Sequence, residues 1–411
     1  MKFFCFLLMG FALVTGCPGI VQGEESLQQI IDRSPEKSVI QLEEKTYEGN
    51  IVITKPITLQ GKTNTVIRGD RTNHVITIRS SGVTIQNVRV EHGSMDRNSM
   101  EEYAGIRVIG AANNVIRDVT ITDSFHGISL FKANNNQIER IQVVGHGGNE
   151  IAGQGNGIHL YYSHGNQIRQ NAIRDTRDGM YLYFSDNNTI DQNDVTKTRY
   201  GLHFMYSNEN RISQNRFHNN SGGAAIMVSK HIQLNQNDFS LHKGSQAFGI
   251  LMQEGEDIQI RGNRFLHNLR GIYIDNSFNG RVIDNQFMNN HIGIELWASA
   301  NNQTFVQNRF LNNITPVLTI GGKSKNSWSE DGKGNYWGSS FPLLDVNQDK
   351  VGDYAIRYQS SLYHLIKENE LTYLFLKSPA IHMYEQMNRW AQKQDVMFQD
   401  DYPLIDSRNR F

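Results

Sequence analysis

Three side chains in this sequence are of types that could share one soft metal ion: His203, Met205 and Met227. Thioether sulfur and imidazole nitrogen are ligands that suit Cu(I). His203 and Met205 are two residues apart, which on an extended strand puts both on one face, about 7 Å between Cβ atoms. Met227 lies 22 residues after Met205. The three meet only if successive 22-residue units stack as strands, at about 4.8 Å per layer.

The chain supplies such units. A glycine followed by an apolar residue recurs at Gly105, Gly127, Gly157, Gly179, Gly201, Gly223, Gly249, Gly271 and Gly293, in steps of 22, 30, 22, 22, 22, 26, 22 and 22. Two asparagine ladders run in phase. One is Asn114, Asn136, Asn166, Asn188 and Asn210; the other is Asn215, Asn237, Asn263, Asn285 and Asn308, each followed two residues on by Phe. A period of this length marks a solenoid. Each unit holds short strands and no helical pattern, so the expected fold is all-β, a parallel β-helix of roughly 22-residue coils. The asparagines are expected at corners, where Asn tolerates left-handed backbone and can ladder its amides. The long step to Gly157 holds an inserted loop, 145–156, expected to project from one edge.

Strand alternation assigns the faces. Counting from each glycine, positions +1 and +3 are apolar throughout and point inward, so Met180 and Met252 are core. Position +2 (Arg107, Ser129, His159, Tyr181, His203, Ala225) and position +4 (Ile109, Phe131, Tyr161, Tyr183, Met205, Met227) point outward. The residues leave three readings of this patch: packing under a loop or tail, a protein interface, or a metal site.

Composition narrows the class. Formal net charge is −1, with no basic stripe of the kind a nucleic-acid binder shows. Lys2 followed by the apolar run Phe3 to Val14 reads as a secretory signal peptide, residues 1–23, too short to span a bilayer. Cleavage before Glu24 is expected; a lipid on Cys17 is the lesser alternative, because Pro18 follows the cysteine directly. Loss of that segment removes both cysteines, Cys5 and Cys17, so any soft-metal site must be built from Met and His.

Residues 24–320 are expected to form the β-helix. Leu27, Ile30 and Ile31 at helical spacing mark an entry cap. Residues 321–411 are expected to form a C-terminal cap and helical tail, with Ser378 capping a helix that starts at Pro379. Met383 and Met387, four apart, read as a core stripe of that helix with Ala380 and Trp390. His126, His146 and His164 lie near corners or the inserted loop and say nothing singly. Asp345, Asn347, Asp349 and Asp353 resemble half of a calcium loop, but Lys350 stands where Gly is required and no Glu follows at the twelfth position. A polar turn is expected there and calcium is not.

Sugar-active β-helices need paired carboxylates or a base with acids in a groove. Acids on the repeat face are sparse, and Asp178 and Asp275 are not neighbours. A carbohydrate-binding or polysaccharide-active protein remains the alternative reading.

Arg199-Tyr200-Gly201-Leu202-His203-Phe204-Met205-Tyr206-Ser207 and Gly222-Gly223-Ala224-Ala225-Ile226-Met227-Val228-Ser229 resemble the NosD family of maturation factors for nitrous oxide reductase. So do Arg177-Asp178-Gly179-Met180-Tyr181-Leu182, Gly334-Asn335-Tyr336-Trp337, and the tail with Leu374 to Ala380 and Asp401 to Leu404. The resemblance implies a right-handed parallel β-helix exported to the periplasm, without enzymatic activity of its own. It implies partners: the membrane subunit and ATPase of an ABC transporter, a copper-chaperone lipoprotein, and nitrous oxide reductase itself. It also implies transient copper handling for the reductase's copper–sulfur site. With it, His203, Met205 and Met227 stand equally as copper contacts or as a partner-docking patch.

Overall fold

The computed structural model describes residues 25–405 except 148–150, 324, 339–342, 359–371, 373–374, 376–377 and 392–395. The expected signal peptide with Cys17, and nearly all of 359–377, lie outside the described residues. Twelve strands, one per coil from Ile51–Ile53 to Thr315–Ile320, stack into one parallel sheet. The shorter strands of each coil pair in parallel with their equivalents one coil on, for example Ile168 with Ile190 and Ile173 with Val195. The chain is thus the expected parallel β-helix, and its core is one continuous column of Ile, Val, Leu and Phe.

Two side-chain ladders fix the register. Asn136, Asn166 and Asn188 each donate from Nδ2 to the Oδ1 of the next coil's asparagine at 3.0–3.1 Å. That oxygen also accepts the backbone N–H of the donor residue. A buried amide is costly unless paired, and here each coil satisfies the last. The ladder asparagines are not themselves left-handed. The residue before each one is: Asn135, Asn187, Gln192 and Gln214 have φ between 53° and 58°. The turning strain falls on an exposed neighbour, which leaves the ladder side chain free to point inward.

Phe217, Phe239, Phe265, Phe287 and Phe310 stack inside the helix with ring centroids 4.8–5.3 Å apart, and Trp337 closes the stack 4.7 Å above Phe310. The antiparallel pair Ile356–Tyr358 and Phe398–Asp400 lies over this end. The Trp337 indole N–H and the Asn335 backbone N–H both donate to Asp400 Oδ2 at 2.8 Å. At the other end, helix Leu27–Arg33 starts with a Ser26–Gln29 capping box and buries Leu27 and Ile31.

The second helix, Pro379–Ala391, begins where Ser378 Oγ accepts the Ile381 N–H at 3.2 Å. Its core contact is not the expected one. Ile381 packs against Ile292, Leu318 and Ile320, while Met383 and Met387 are 61% and 66% exposed. Four-residue spacing puts two methionines on one face but does not say which face is buried.

Candidate metal centre

Facing around Gly201 is set by a close approach. A Cβ there would lie 2.6 Å from Phe217 Cδ1 and 2.7 Å from the Gly223 carbonyl, so the glycine points into the core. Leu202 and Phe204 point inward too and are fully buried. Tyr200, His203 and Met205 are left on the outer face, and Met180 and Met252 are core as expected. Met205 pairs in register with Met227 on the next strand, and Tyr183 with Met205 on the previous one.

His203 faces out of the coil yet is only 7% exposed. Alternation predicts direction from the sheet, not cover. Tyr181 lies against the imidazole with centroids 4.7 Å apart and Tyr200 meets it edge-on at 5.3 Å. The Arg199 guanidinium sits over Tyr200. Tyr181 also donates its hydroxyl to Met205 Sδ at 3.5 Å, so one ring spans histidine and methionine. Burial pushes the Tyr181 pKa up to about 12, which keeps that hydroxyl protonated.

Asp178 completes the group. It is the residue before Gly179, paired with Tyr200 across the coils. Its carboxylate takes Arg199 Nε at 2.8 Å and Nη2 at 2.6 Å, and lies 3.1 Å from His203 Nδ1. Burial opposes its charge, but the hydrogen bonds from His203 and Arg199 outweigh this and hold the carboxyl below its ordinary range. An ionised carboxylate only accepts, so Nδ1 of His203 donates. With the proton held on Nδ1, the far nitrogen is Nε2, which is buried and has no hydrogen-bond partner. A neutral imidazole with a carboxylate behind it is how proteins present histidine to a metal. Met205 and Met227 lie in register on the same outer face, and imidazole and thioether are donor types suited to Cu(I).

A second cluster lies two coils earlier. Glu102, His126 and His159 offer ligand atoms within 4.8 Å of one another. The hydrogen bonding there argues against a metal. The Asn156 backbone N–H donates to His126 Nδ1 at 2.8 Å, so the proton of the neutral ring sits on Nε2, which cannot then be a ligand. That leaves His159, whose ring nitrogens are buried without hydrogen-bond partners and whose pKa burial pushes down to about 3, with Glu102 3.5 Å from its Nδ1. The corner histidines serve as backbone acceptors: His164 Nδ1 takes the Asp186 N–H and His242 Nδ1 the Asn220 N–H. In the 345–353 loop, Asp345, Asn347, Asp349 and Asp353 accept backbone N–H groups, as in a polar turn.

Asp178 and Arg199 are the residues that reading by strand alternation passes over. Their signal is the column just before each glycine. It contains His126, Asp178 and Arg270, and each reaches the +2 residue of the following coil: His159, His203 and Glu295.

Beside the methionines the outer face is aromatic. Phe131, Tyr161 and Tyr183 stack at 5.3 and 5.5 Å, and Tyr162, Phe184 and Tyr206 at 5.0 and 4.9 Å. Fold and site together give a parallel β-helix protein whose outer sheet carries His203, Met205 and Met227 next to an aromatic row. By sequence, the chain is 36% identical over 379 residues to the probable ABC transporter binding protein NosD of Pseudomonas aeruginosa, covering 87% of this chain and 86% of that protein. It is 32% identical to the protein of the same description from Stutzerimonas stutzeri, covering 87% and 85%. Residues 141–341 match the model of the family described as periplasmic copper-binding protein (NosD). The chain belongs to the NosD family. Among solved structures it resembles the A-module of the mannuronan C-5 epimerase AlgE6 of Azotobacter vinelandii, with a TM-score of 0.58 and 13% identity over 74% of this chain and 92% of that one. At that identity the likeness is one of fold.

Proposed function

We propose that this protein is a periplasmic, non-enzymatic accessory factor that handles Cu(I) for the copper–sulfur site of nitrous oxide reductase. In this reading it works with an ABC transporter and receives copper from a chaperone lipoprotein. His203 Nε2, Met205 Sδ and Met227 Sδ hold the ion as cargo. The observation that carries the reading is the buried, unpartnered Nε2 of His203 on the same face as two register-paired methionines. The relatives' description as ABC transporter binding proteins supports the transporter as a partner. Against catalysis, the Asp178 carboxylate is taken up by Arg199 and His203 and is not free to act as an acid or base on a sugar. Among the described residues no helix is long and apolar enough to cross a membrane.

Competition titration with a chromophoric Cu(I) chelator tests the site. The Met205→Ala, Met227→Ala double variant should lose at least tenfold in affinity; unchanged affinity would sink the metal assignment. One observation favours a second use of the same face. Tyr162 and Tyr206, each 39% exposed, head an aromatic row beside the methionines that suits docking of a partner. If Tyr162→Ala and Tyr206→Ala weaken capture of the transporter subunits while copper affinity holds, docking and binding are separate functions of one face.

A further inference from the structure

We propose that Asp178, clamped by Arg199, is the positioning residue that makes His203 a metal ligand, by fixing the proton on Nδ1 and the lone pair on Nε2. The inference rests on the copper reading above and adds the residue that prepares the site.

The geometry behind it is a repeated one. In three coils the residue before the glycine reaches the +2 residue of the next coil, with different chemistry each time. Arg270 meets Glu295 as a buried ion pair, and Trp297 Nε1 donates to the same carboxylate. That arrangement presents no imidazole lone pair. His126 meets His159, where the Asn156 amide has already claimed His126 Nδ1. In the Asp178–His203 pair the residue before the glycine is itself a carboxylate at hydrogen-bond distance from Nδ1, with Nε2 buried and unpartnered; Glu102 stands farther from His159 Nδ1, at 3.5 Å, and belongs to no such pair.

Arg199 matters because a single hydrogen bond would not hold the carboxylate plane. Its two nitrogens grip both Asp178 oxygens, and the Tyr200 backbone N–H adds a third contact at 3.3 Å. The carboxylate therefore cannot turn away from His203 without breaking a two-pronged ion pair. The imidazole is held in turn between Tyr181 and Tyr200. A ring so held presents Nε2 in one direction before any metal arrives, and preorganisation of this kind is what an outer carboxylate contributes to affinity.

Two measurements test the proposal. Long-range ¹H–¹⁵N correlation spectra of the metal-free protein, with ¹⁵N-labelled histidine, report the tautomer of each ring and need no variant. His203, assigned by loss of its signals in His203→Gln, should carry its proton on Nδ1 at neutral pH. A proton on Nε2 overturns the proposal. Cu(I) competition titration then compares Asp178→Asn with the Met205→Ala, Met227→Ala variant. Asp178→Asn should weaken binding about 10–100-fold, and Arg199→Gln should weaken it in the same direction. If the methionine variant weakens binding and Asp178→Asn does not, the positioning role fails while the copper site stands. If the methionine variant leaves binding unchanged, the copper reading itself fails, and this inference with it.

Discussion

The Tyr181 hydroxyl donates to the sulfur of Met205 across 3.5 Å while its ring lies against His203. In the metal-free protein a proposed copper ligand thus has one lone pair engaged. Thioethers are weak acceptors, and a hydrogen bond of this kind contributes about 0.5–1.5 kcal/mol. Copper must displace it. Tyr181→Phe keeps the ring and removes the donor, so Cu(I) affinity should rise by about two- to tenfold. Competition titration reads this directly; a fall in affinity would show that the hydroxyl helps rather than competes.

The coil geometry predicts a cost at Gly201. A methyl group there meets Phe217 and the Gly223 carbonyl well inside contact distance. Gly201→Ala should destabilise the protein by about 1–3 kcal/mol. It should also displace His203, two residues on, so copper affinity falls along with the urea midpoint. Gly244→Ala, where nothing lies within 4 Å but φ is 128°, gives a comparison in which strain acts without crowding.

The buried histidines predict acid sensitivity. Burial pushes the pKa of His159 and His242 down to about 3 and that of His74 to about 4. In the unfolded chain each titrates near 6.5. The unfolded state then binds more protons than the folded one, so stability is full above about pH 6.5 and falls as the pH drops towards the folded values. The loss is about 1–2 kcal/mol per histidine by pH 5. His242 gives the cleanest test, because it replaces an asparagine in a ladder: it accepts the Asn220 N–H and donates its own N–H to Asn268. His242→Asn should flatten the fall in urea midpoint between pH 7.5 and pH 5. An identical slope would mean that His242 is not titrating in the unfolding equilibrium.

The C-terminal closure hangs on one carboxylate. Asp400 is fully buried, its pKa raised by burial despite hydrogen bonds from Asn335, Trp337 and Tyr402. Asp400→Ala removes the acceptor of the Trp337 indole N–H and of the Asn335 backbone N–H, a cost of about 1–3 kcal/mol for each buried hydrogen bond lost. Hydrogen exchange should accelerate in 334–337 and 398–404 before it does in the central coils. Uniform acceleration along the whole solenoid would show that the cap does not open by itself.

By itself the sequence determined the solenoid, its coil register, the inward columns and the pairing of Met205 with Met227. All four are consequences of period, because a residue recurring every 22 positions on a stacked strand has no other place to go. The tertiary structure alone decided how the outer face is covered. Alternation sends His203 outward and puts Tyr181 beside it one coil back, but the edge-on cover from Tyr200 depends on side-chain angles that no spacing encodes. It also decided the partner of His203. Asp178 lies 25 residues upstream, one coil back and before its glycine, so it joins the ring only once the coils are stacked and Arg199 folds over the edge. The same limit explains Met383 and Met387, whose spacing was plain while the buried side of their helix was set by Ile381. Period is a property of the chain; which side chains close over a given face depends on three-dimensional neighbours.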